Sequence, residues 1–170
     1  MHSLKTNTQN IYIDTYFVQG YLWGERDEEE NIKPIFSKIK SSIKNPDINV
    51  KIPSIVVGEM INNLRKISDH GERENIMYNF FNLLNDLEAE IIAQNKCSFG
   101  IAKSLIKQDD YLENHPSDVL IASCALCDPD SSHLLFHDSL FLESMTLGKT
   151  EKYMQDEGKR NRSLKITEEF

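Results

Sequence analysis

Short apolar runs of strand length alternate with longer amphipathic segments along most of this chain. Asn10 to Asp14 is a β-rich run that ends in a carboxylate, and Val50 to Ile52 and His133 to His137 are similar apolar runs. Asn31 to Lys44 and Arg73 to Leu87 carry apolar residues spaced by three and four, as one face of a helix requires. This alternation predicts an α/β fold, three layers α/β/α, with a mainly parallel central sheet of about four to five strands.

Weaker patterns fill the gaps between these elements. They predict a helix at Thr15–Trp23, an acidic loop at Glu25–Glu30, a stop and N-cap at Pro53-Ser54 before a helix through Leu64, a strand at Ala89–Ala93, a helix near Phe99–Ile106, and a helix that opens at Pro116-Ser117-Asp118. Residues 149 to 163 are polar, and Leu164 to Thr167 has the pattern of a last edge strand. We therefore expect one domain over residues 1–170, with its core at about 10–145 and a polar C-terminal segment at 149–170.

The length of the chain and its cysteines limit the class of protein to which it can belong. A chain of 170 residues can bury roughly 70% of its unfolded surface, so a core needs no disulfide or structural metal. Neither a signal-peptide stretch nor a membrane-spanning run is visible, which predicts a cytoplasmic protein without membrane contact. Three cysteines, Cys97, Cys124 and Cys127, form an odd set that favours reduced thiols.

Four acidic residues fall where they could reach one edge of the predicted sheet. Asp14 closes the first strand and Asp138 follows the fourth, while Glu59 lies about one turn into a helix and Asp118 begins another. Ligands of such sheets bind beyond the carboxyl ends of the strands, near the point where the strand order reverses. Carboxylates gathered there repel one another unless a cation sits among them, and oxygen ligands favour Mg²⁺ or Mn²⁺.

The sequence resembles the PIN-domain ribonuclease family, including its toxin-like branch, in the order of these acids. The matching stretches are Ile13-Asp14-Thr15, Val57-Gly58-Glu59-Met60, Ser117-Asp118-Val119-Leu120-Ile121-Ala122 and Phe136-His137-Asp138-Ser139-Leu140-Phe141. The resemblance spans residues 11 to 141. His137 departs from it, because a small polar residue usually precedes the last acid of the family.

The resemblance implies a divalent-metal-dependent endoribonuclease. Asp14, Glu59, Asp118 and Asp138 would be both the catalytic residues and the metal ligands, and Thr15 and Ser139 would contact the scissile phosphate or a metal-bound water. Cleavage would leave 5′ phosphate and 3′ hydroxyl ends. The family includes toxins of toxin–antitoxin pairs, which implies a homodimer and a small antitoxin protein as partners, and also RNA-processing enzymes.

Each acid also has an ordinary structural explanation. Asp14 and Asp138 could cap the helices that follow them, and Asp118 could gain about 0.3 to 1 kcal/mol from the dipole of its helix. Glu59 is less easily explained, because its surroundings in the sequence are apolar. Four unrelated accidents are less probable than one site.

Other functions remain open from the sequence alone. Cys124-x-x-Cys127 followed by His133 and His137 invites a zinc site, but the spacing is unlike that of zinc fingers and both cysteines lie in an apolar helix. A phosphomonoesterase, or a PIN-like module that binds RNA or protein without cleaving, is a further alternative. A dehalogenase-type phosphatase is disfavoured, because no second Asp follows Asp14 two residues on.

The net charge of −8 disfavours broad binding to nucleic acid, because such binding comes mainly from Lys and Arg. Two bound divalent cations would halve that charge. Residues 31 to 51 are locally basic, with Lys33, Lys38, Lys40, Lys44 and Lys51 against Asp47 alone. We therefore expect Lys40 and Lys44 to bind the RNA backbone, with a solvated helix face as the ordinary alternative.

Overall fold

A parallel β-sheet forms the centre of the protein in a computed structural model, which describes residues 8–23 and 26–170. Its strands within those ranges are β1 (Gln9–Ile13), β2 (Ile48–Pro53), β3 (Glu90–Ile92), β4 (Ser131–Leu135) and β5 (Lys165–Thr167). All neighbours pair in parallel, in the order β3-β2-β1-β4-β5. The predicted fold class is confirmed, and so is the edge strand near the C-terminal end.

Helices connect the strands. They are α1 (Thr15–Trp23), α2 (Arg26–Ser42), α3 (Ser54–Leu64), α4 (His70–Asp86), α5 (Lys96–Ile106), α6 (Asp110–Glu113), α7 (Pro116–Cys127), α8 (Ser139–Leu142) and α9 (Met145–Asp156). In β1, the consecutive residues Ile11, Tyr12 and Ile13 are all buried. Since neighbouring strand residues point to opposite faces, helices must cover the sheet on both sides.

The structure corrects three local predictions. The segment Glu25–Glu30 is not a loop over its described part, because α2 already includes residues 26–30; Glu25 lies outside the described residues. Glutamate has a high helix propensity, so an acidic run before an amphipathic pattern can extend the helix. Ser54 is not an N-cap: Pro53 holds that position, and the Ser54 hydroxyl donates instead to Gln94 Oε1 over 2.8 Å.

The third correction concerns the C-terminal segment, which belongs to the fold although its composition is polar. Helix α9 was not predicted, and it buries Leu147 and Met154. Arg160 follows it and is buried, with its guanidinium donating to the carbonyl oxygens of Ala125, Leu126 and Asp128 at 2.9 to 3.1 Å. These carbonyls end α7 and have no partner inside the helix, so Arg160 satisfies them. The core therefore extends past residue 145.

No helix in the described ranges is both long and apolar enough to cross a lipid bilayer.

Candidate active site

The strand order reverses between β1 and β4, at the middle of the sheet. From β1 the chain continues outward through β2 and β3, whereas β4 and β5 lie on the other side. Asp14 directly follows β1, and Asp138 lies three residues after β4. The Asp14 N–H donates to the Leu135 carbonyl over 3.1 Å, which joins the two strand ends. This crevice at the carboxyl ends is where α/β sheets of this type bind ligands.

Asp14 is the most deeply buried of the four acids, with 5% of its surface exposed. Burial is the main cause that raises the pKa of this carboxyl, and the charges of Asp118 and Glu59 raise it further. A hydrogen bond of 2.6 Å from the Thr15 N–H acts in the opposite direction. The net result is a pKa of about 7. A bound cation would favour the ionised form of Asp14, because it would offset the repulsion from Asp118 and Glu59.

Asp118 lies in the first turn of α7 and is electrostatically linked to the other acids. Burial raises its pKa, and the charges of Glu59 and Asp138 add to that rise. His115 partly opposes it, because its Nδ1 lies 3.4 Å from Asp118 Oδ2. The four predicted acids therefore interact as one group of like charges, although they come from four separate parts of the chain.

Glu59 in α3 is joined to the start of α1 by a hydrogen bond. The Thr15 hydroxyl donates to Glu59 Oε2. Thr15 itself lines the cleft, so the sequence prediction placed it correctly near the acids. In this arrangement its hydroxyl orients Glu59, and a contact between Thr15 and a phosphate stays a prediction.

Asp138 is the N-cap of α8, as its ordinary structural explanation predicts. Oδ1 accepts a hydrogen bond of 3.0 Å from the Phe141 N–H, and Oδ2 accepts one of 2.5 Å from the Tyr111 hydroxyl. Burial acts to raise the pKa of Asp138, but these bonds and a bond from the Leu140 N–H outweigh it and lower the pKa. Asp138 is thus kept ionised in its place at the cleft.

The cleft between these residues has a volume of about 290 Å³. Its lining consists of Asp14, Thr15, Tyr16, Gln19, Gly20, Asp118, Phe136, His137 and Asp138. Three of the four predicted acids face it directly. Glu59 is not part of the lining and reaches the group through Thr15.

The donor set fits a hard divalent cation, since all four predicted ligands are carboxylates. Among the residues that the structure describes, no lysine or arginine lines the cleft. No three Asp, Glu, His or Cys side chains within residues 8–23 and 26–170 already surround one ion position. Two of the four carboxylates already accept hydrogen bonds from neighbouring side chains, Glu59 from Thr15 and Asp138 from Tyr111.

Sequence reasoning missed two residues that orient the acids. Tyr111 lies in the four-residue α6 and contacts Asp138 across 27 positions of sequence. His115 sits at the N-cap position of α7, beside Asp118. Only the position of His115, three residues before a predicted ligand and next to Pro116, gave any signal.

Three predicted substrate contacts lie outside the cleft lining. Lys40 donates to Asp86 Oδ2 over 2.8 Å, and Lys44 follows the end of α2, where the chain enters the amino end of β2. That end of a parallel sheet is opposite the acids. Ser139 is exposed at the start of α8. RNA binding by these residues stays a prediction, and the fold disfavours it for the two lysines.

His137 is held by two neighbours at the edge of the cleft. Its ring stacks on Tyr16, with centroids 3.9 Å apart, and its Nδ1 lies 2.7 Å from Glu168 Oε1. The side chain that departs from the family pattern is therefore part of an aromatic pair.

The cysteines do not match the expectation of reduced thiols. Cys97 and Cys127 form a disulfide that joins the first turn of α5 to the last residue of α7, with 6.0 Å between their Cα atoms. The pairing could not be seen in the sequence, because helix packing brings the two residues together. It also leaves Cys127 unable to bind zinc, while Cys124 is a buried thiol.

Comparison with solved structures identifies the fold. VapBC2 from Rickettsia felis, crystallised with a DNA fragment from its promoter, contains a chain that superposes with a TM-score of 0.55 at 19% identity, covering 81% of this chain and 94% of that one. A chain of FitAcB from Neisseria gonorrhoeae gives 0.57 at 13% identity, covering 84% and 93%. Both are toxin–antitoxin complexes of PIN-domain systems. This chain has the PIN-domain fold.

The PIN fold agrees with the resemblance seen in the order of the acids. No protein-family model matches the sequence, and no curated protein matches it either. At these identities the likeness establishes the PIN fold alone, so activity, metal and partners rest on the residues of this chain.

Proposed function

We propose that this PIN-fold protein is a divalent-metal-dependent endoribonuclease and the toxin of a toxin–antitoxin pair. The observation that carries the proposal is the electrostatic coupling of Asp14, Glu59, Asp118 and Asp138 at the strand-order reversal. A group of like charges around the buried Asp14 is costly for a fold unless it binds a cation. The toxin role is supported by the two toxin–antitoxin complexes that share the fold.

The chain's own residues would do the following. The four carboxylates would hold Mg²⁺ or Mn²⁺ at the cleft, with Thr15 orienting Glu59 and Tyr111 orienting Asp138. Such ions activate water and stabilise the oxygen that leaves during phosphodiester hydrolysis. His115 would balance part of the charge on Asp118. Phe136, which lines the cleft, is buried and would add an apolar wall beside the acids.

RNA is the proposed substrate, a small antitoxin protein the proposed inhibitor, and a homodimer the proposed assembly. The groove between α5 and α7 is apolar, lined by Phe99, Ala102, Ile106 and Leu120, and Phe99 is 56% exposed. An exposed apolar surface of this kind is typical of a protein interface. It supports an interface with another protein, and light scattering would detect an assembly of two copies directly.

The deciding experiment is an RNA cleavage assay with Mn²⁺, on the wild-type protein and on Asp14→Asn. We expect internal cleavage by the wild type, products with 5′ phosphate ends, and a loss of at least 100-fold in the variant, as for other essential charge-stabilising groups. Asp156→Asn, an exposed change on α9, is the matched control and should cleave normally. Equal cleavage by wild type and Asp14→Asn would falsify the proposed site.

The same assay separates the alternative functions. A phosphomonoesterase would release phosphate from a 5′-phosphorylated mononucleotide and leave an RNA blocked at both ends intact. A module that binds RNA without cleaving would retain the labelled RNA and produce no fragments in Mn²⁺. Either result would replace the ribonuclease proposal.

A further inference from the structure

A second and larger groove continues the acidic cleft beyond His137. We call it the side groove; it has a volume of about 640 Å³ and is lined by residues of α1, α2, β4 and β5 and by the segment Glu168–Phe170. Tyr16 and His137 line both the cleft and the side groove. A molecule that leaves the cleft past the Tyr16–His137 stack therefore enters the side groove directly.

The side groove combines flat rings with two lysines, and its lining also includes Glu168 and Glu169. Tyr16 and His137 offer a stacked pair of rings, and His133 offers a third ring. Lys38 from α2 and Lys165 from β5 place ammonium groups along it. Stacking faces together with cations that follow a backbone are what proteins use to bind single-stranded nucleic acid.

The segment Glu168–Phe170 occupies this surface in the structure. The Glu168 carboxylate lies 2.7 Å from His137 Nδ1, and the Phe170 carbonyl oxygen accepts a hydrogen bond of 3.0 Å from Lys38. The Phe170 ring meets His133 edge to face, with centroids 5.3 Å apart. The segment thus places a carboxylate beside His137 and an aromatic ring beside His133.

The contact between His137 and Glu168 lies at an exposed part of the side groove. The side chains of His137 and Glu168 are 47% and 46% exposed, so solvent screens their contact, which is an ion pair only when His137 is protonated. A bound RNA strand would replace the carboxylate with a singly charged phosphodiester and the ring with a stacked base. RNA therefore offers the side groove the same kinds of contact as the segment does.

We propose that the side groove binds the nucleotides of the RNA strand next to the cleaved bond, and that Glu168–Phe170 blocks it until RNA displaces the segment. The proposal rests on the proposed function, because the strand in the groove is the substrate of the acidic cleft. It assigns substrate binding to Lys38, Lys165, His133 and the Tyr16–His137 pair, and competition with substrate to the C-terminal segment.

The first test measures binding without cleavage. In an Asp14→Asn background, the affinity for a short fluorescein-labelled single-stranded RNA is measured by anisotropy at low salt. We expect Glu168→Ala with Phe170→Ala to tighten binding about fivefold, as the loss of an exposed ion pair and a ring contact predicts, and Lys38→Ala with Lys165→Ala to weaken it by a similar factor. Circular dichroism confirms that each variant is folded.

Matched controls are available on the same protein. Glu74→Ala removes a carboxylate that also pairs with a histidine, His70, but on the exposed surface of α4. Lys152→Ala removes an exposed lysine of α9. Both should leave the affinity unchanged. If the Glu168/Phe170 variant binds RNA no better than Glu74→Ala, the segment does not compete with RNA and the proposal is overturned.

The second test is cleavage in Mn²⁺ with Asp14 intact. The Glu168/Phe170 variant should have a KM about fivefold lower than the wild type and the same kcat. The segment lies in the side groove and does not contact the four acids. If neither the wild type nor any variant cleaves RNA, the ribonuclease function is refuted. The anisotropy measurement would still test whether the side groove binds RNA. Normal wild-type cleavage with an unchanged KM in the variant would refute the groove proposal alone.

Discussion

The Tyr111 hydroxyl donates a hydrogen bond of 2.5 Å to Asp138 Oδ2, and thereby fixes an acid of the candidate site from a helix of only four residues. Tyr111→Phe removes this bond and keeps the ring. We expect the affinity for Mn²⁺ and the cleavage rate to fall about tenfold, since groups that orient metal ligands typically contribute 10- to 100-fold.

Isothermal titration with Mn²⁺ measures the affinity independently of cleavage. Tyr78→Phe, which removes an exposed hydroxyl on α4, is the control and should bind as the wild type does. If Tyr111→Phe titrates identically to that control, Tyr111 does not orient a metal ligand.

Asp14→Asn should stabilise the metal-free protein even though it abolishes the proposed activity. The pKa of Asp14 is about 7 in the folded protein and lower in the unfolded chain, so the folded state favours the protonated form. The stability from that proton is fully present below about pH 4 and is lost as the pH rises through 7. At pH 8 the neutral amide avoids this loss, which amounts to a few kcal/mol.

Urea unfolding in EDTA from pH 4 to pH 8 checks this prediction. The stability difference between Asp14→Asn and the wild type should grow with pH, and Mn²⁺ should raise the melting temperature of the wild type only. A difference that is constant across this pH range would show that Asp14 does not carry the raised pKa.

The positions of the acids could be predicted because they follow from local patterns. A short apolar run that ends in Asp14 fixes both a strand and the edge it points to, and parallel pairing then brings Asp138 to the same edge. The charge pattern around Lys40 was not informative in this way. Periodicity places a lysine on a helix face but does not reveal that Asp86, 46 residues on, faces it.

Contacts between residues that are distant in the sequence could not be predicted for the same reason. Tyr111 and Asp138, or Cys97 and Cys127, are ordinary residues until packing of α5, α6 and α7 sets their distances. Helix α9 was missed because its apolar residues are few. The polar character of its sequence reflects an exposed outer face.

Arg160 should be among the most important residues for stability. Its NH1 and NH2 groups donate to carbonyl oxygens at the end of α7 and to the Ser131 carbonyl that begins β4. Arg160→Ala removes several buried hydrogen bonds. Ser131 still donates to the Ala125 and Asp128 carbonyls, and each buried carbonyl left without a donor costs about 1 to 3 kcal/mol. We expect a loss of about 3 kcal/mol or more in the free energy of unfolding.

Arg160→Lys tests whether the geometry of the guanidinium or its charge stabilises the protein. A lysine keeps the charge but lacks the planar fork that reaches several acceptors, so it should recover only a minor part of the loss. Arg65→Ala, at the exposed end of α3, is the control and should change the stability little. Full recovery by lysine would mean that charge alone matters at this position.

The disulfide between Cys97 and Cys127 should stabilise the protein without contributing to cleavage. It closes a loop of 30 residues, for which the loss of chain entropy in the unfolded state gives roughly 3 to 4 kcal/mol. Replacing both cysteines with serine should lower the melting temperature in oxidising buffer. Dithiothreitol should lower the melting temperature of the wild type to the same value.

Cys124→Ala, which keeps the disulfide, separates the effect of a lost thiol from that of a lost bond. Cleavage by all three proteins at 25 °C should be equal, because no cysteine lines the acidic cleft. Loss of bound metal or of cleavage in Cys124→Ala would instead implicate that thiol in the site.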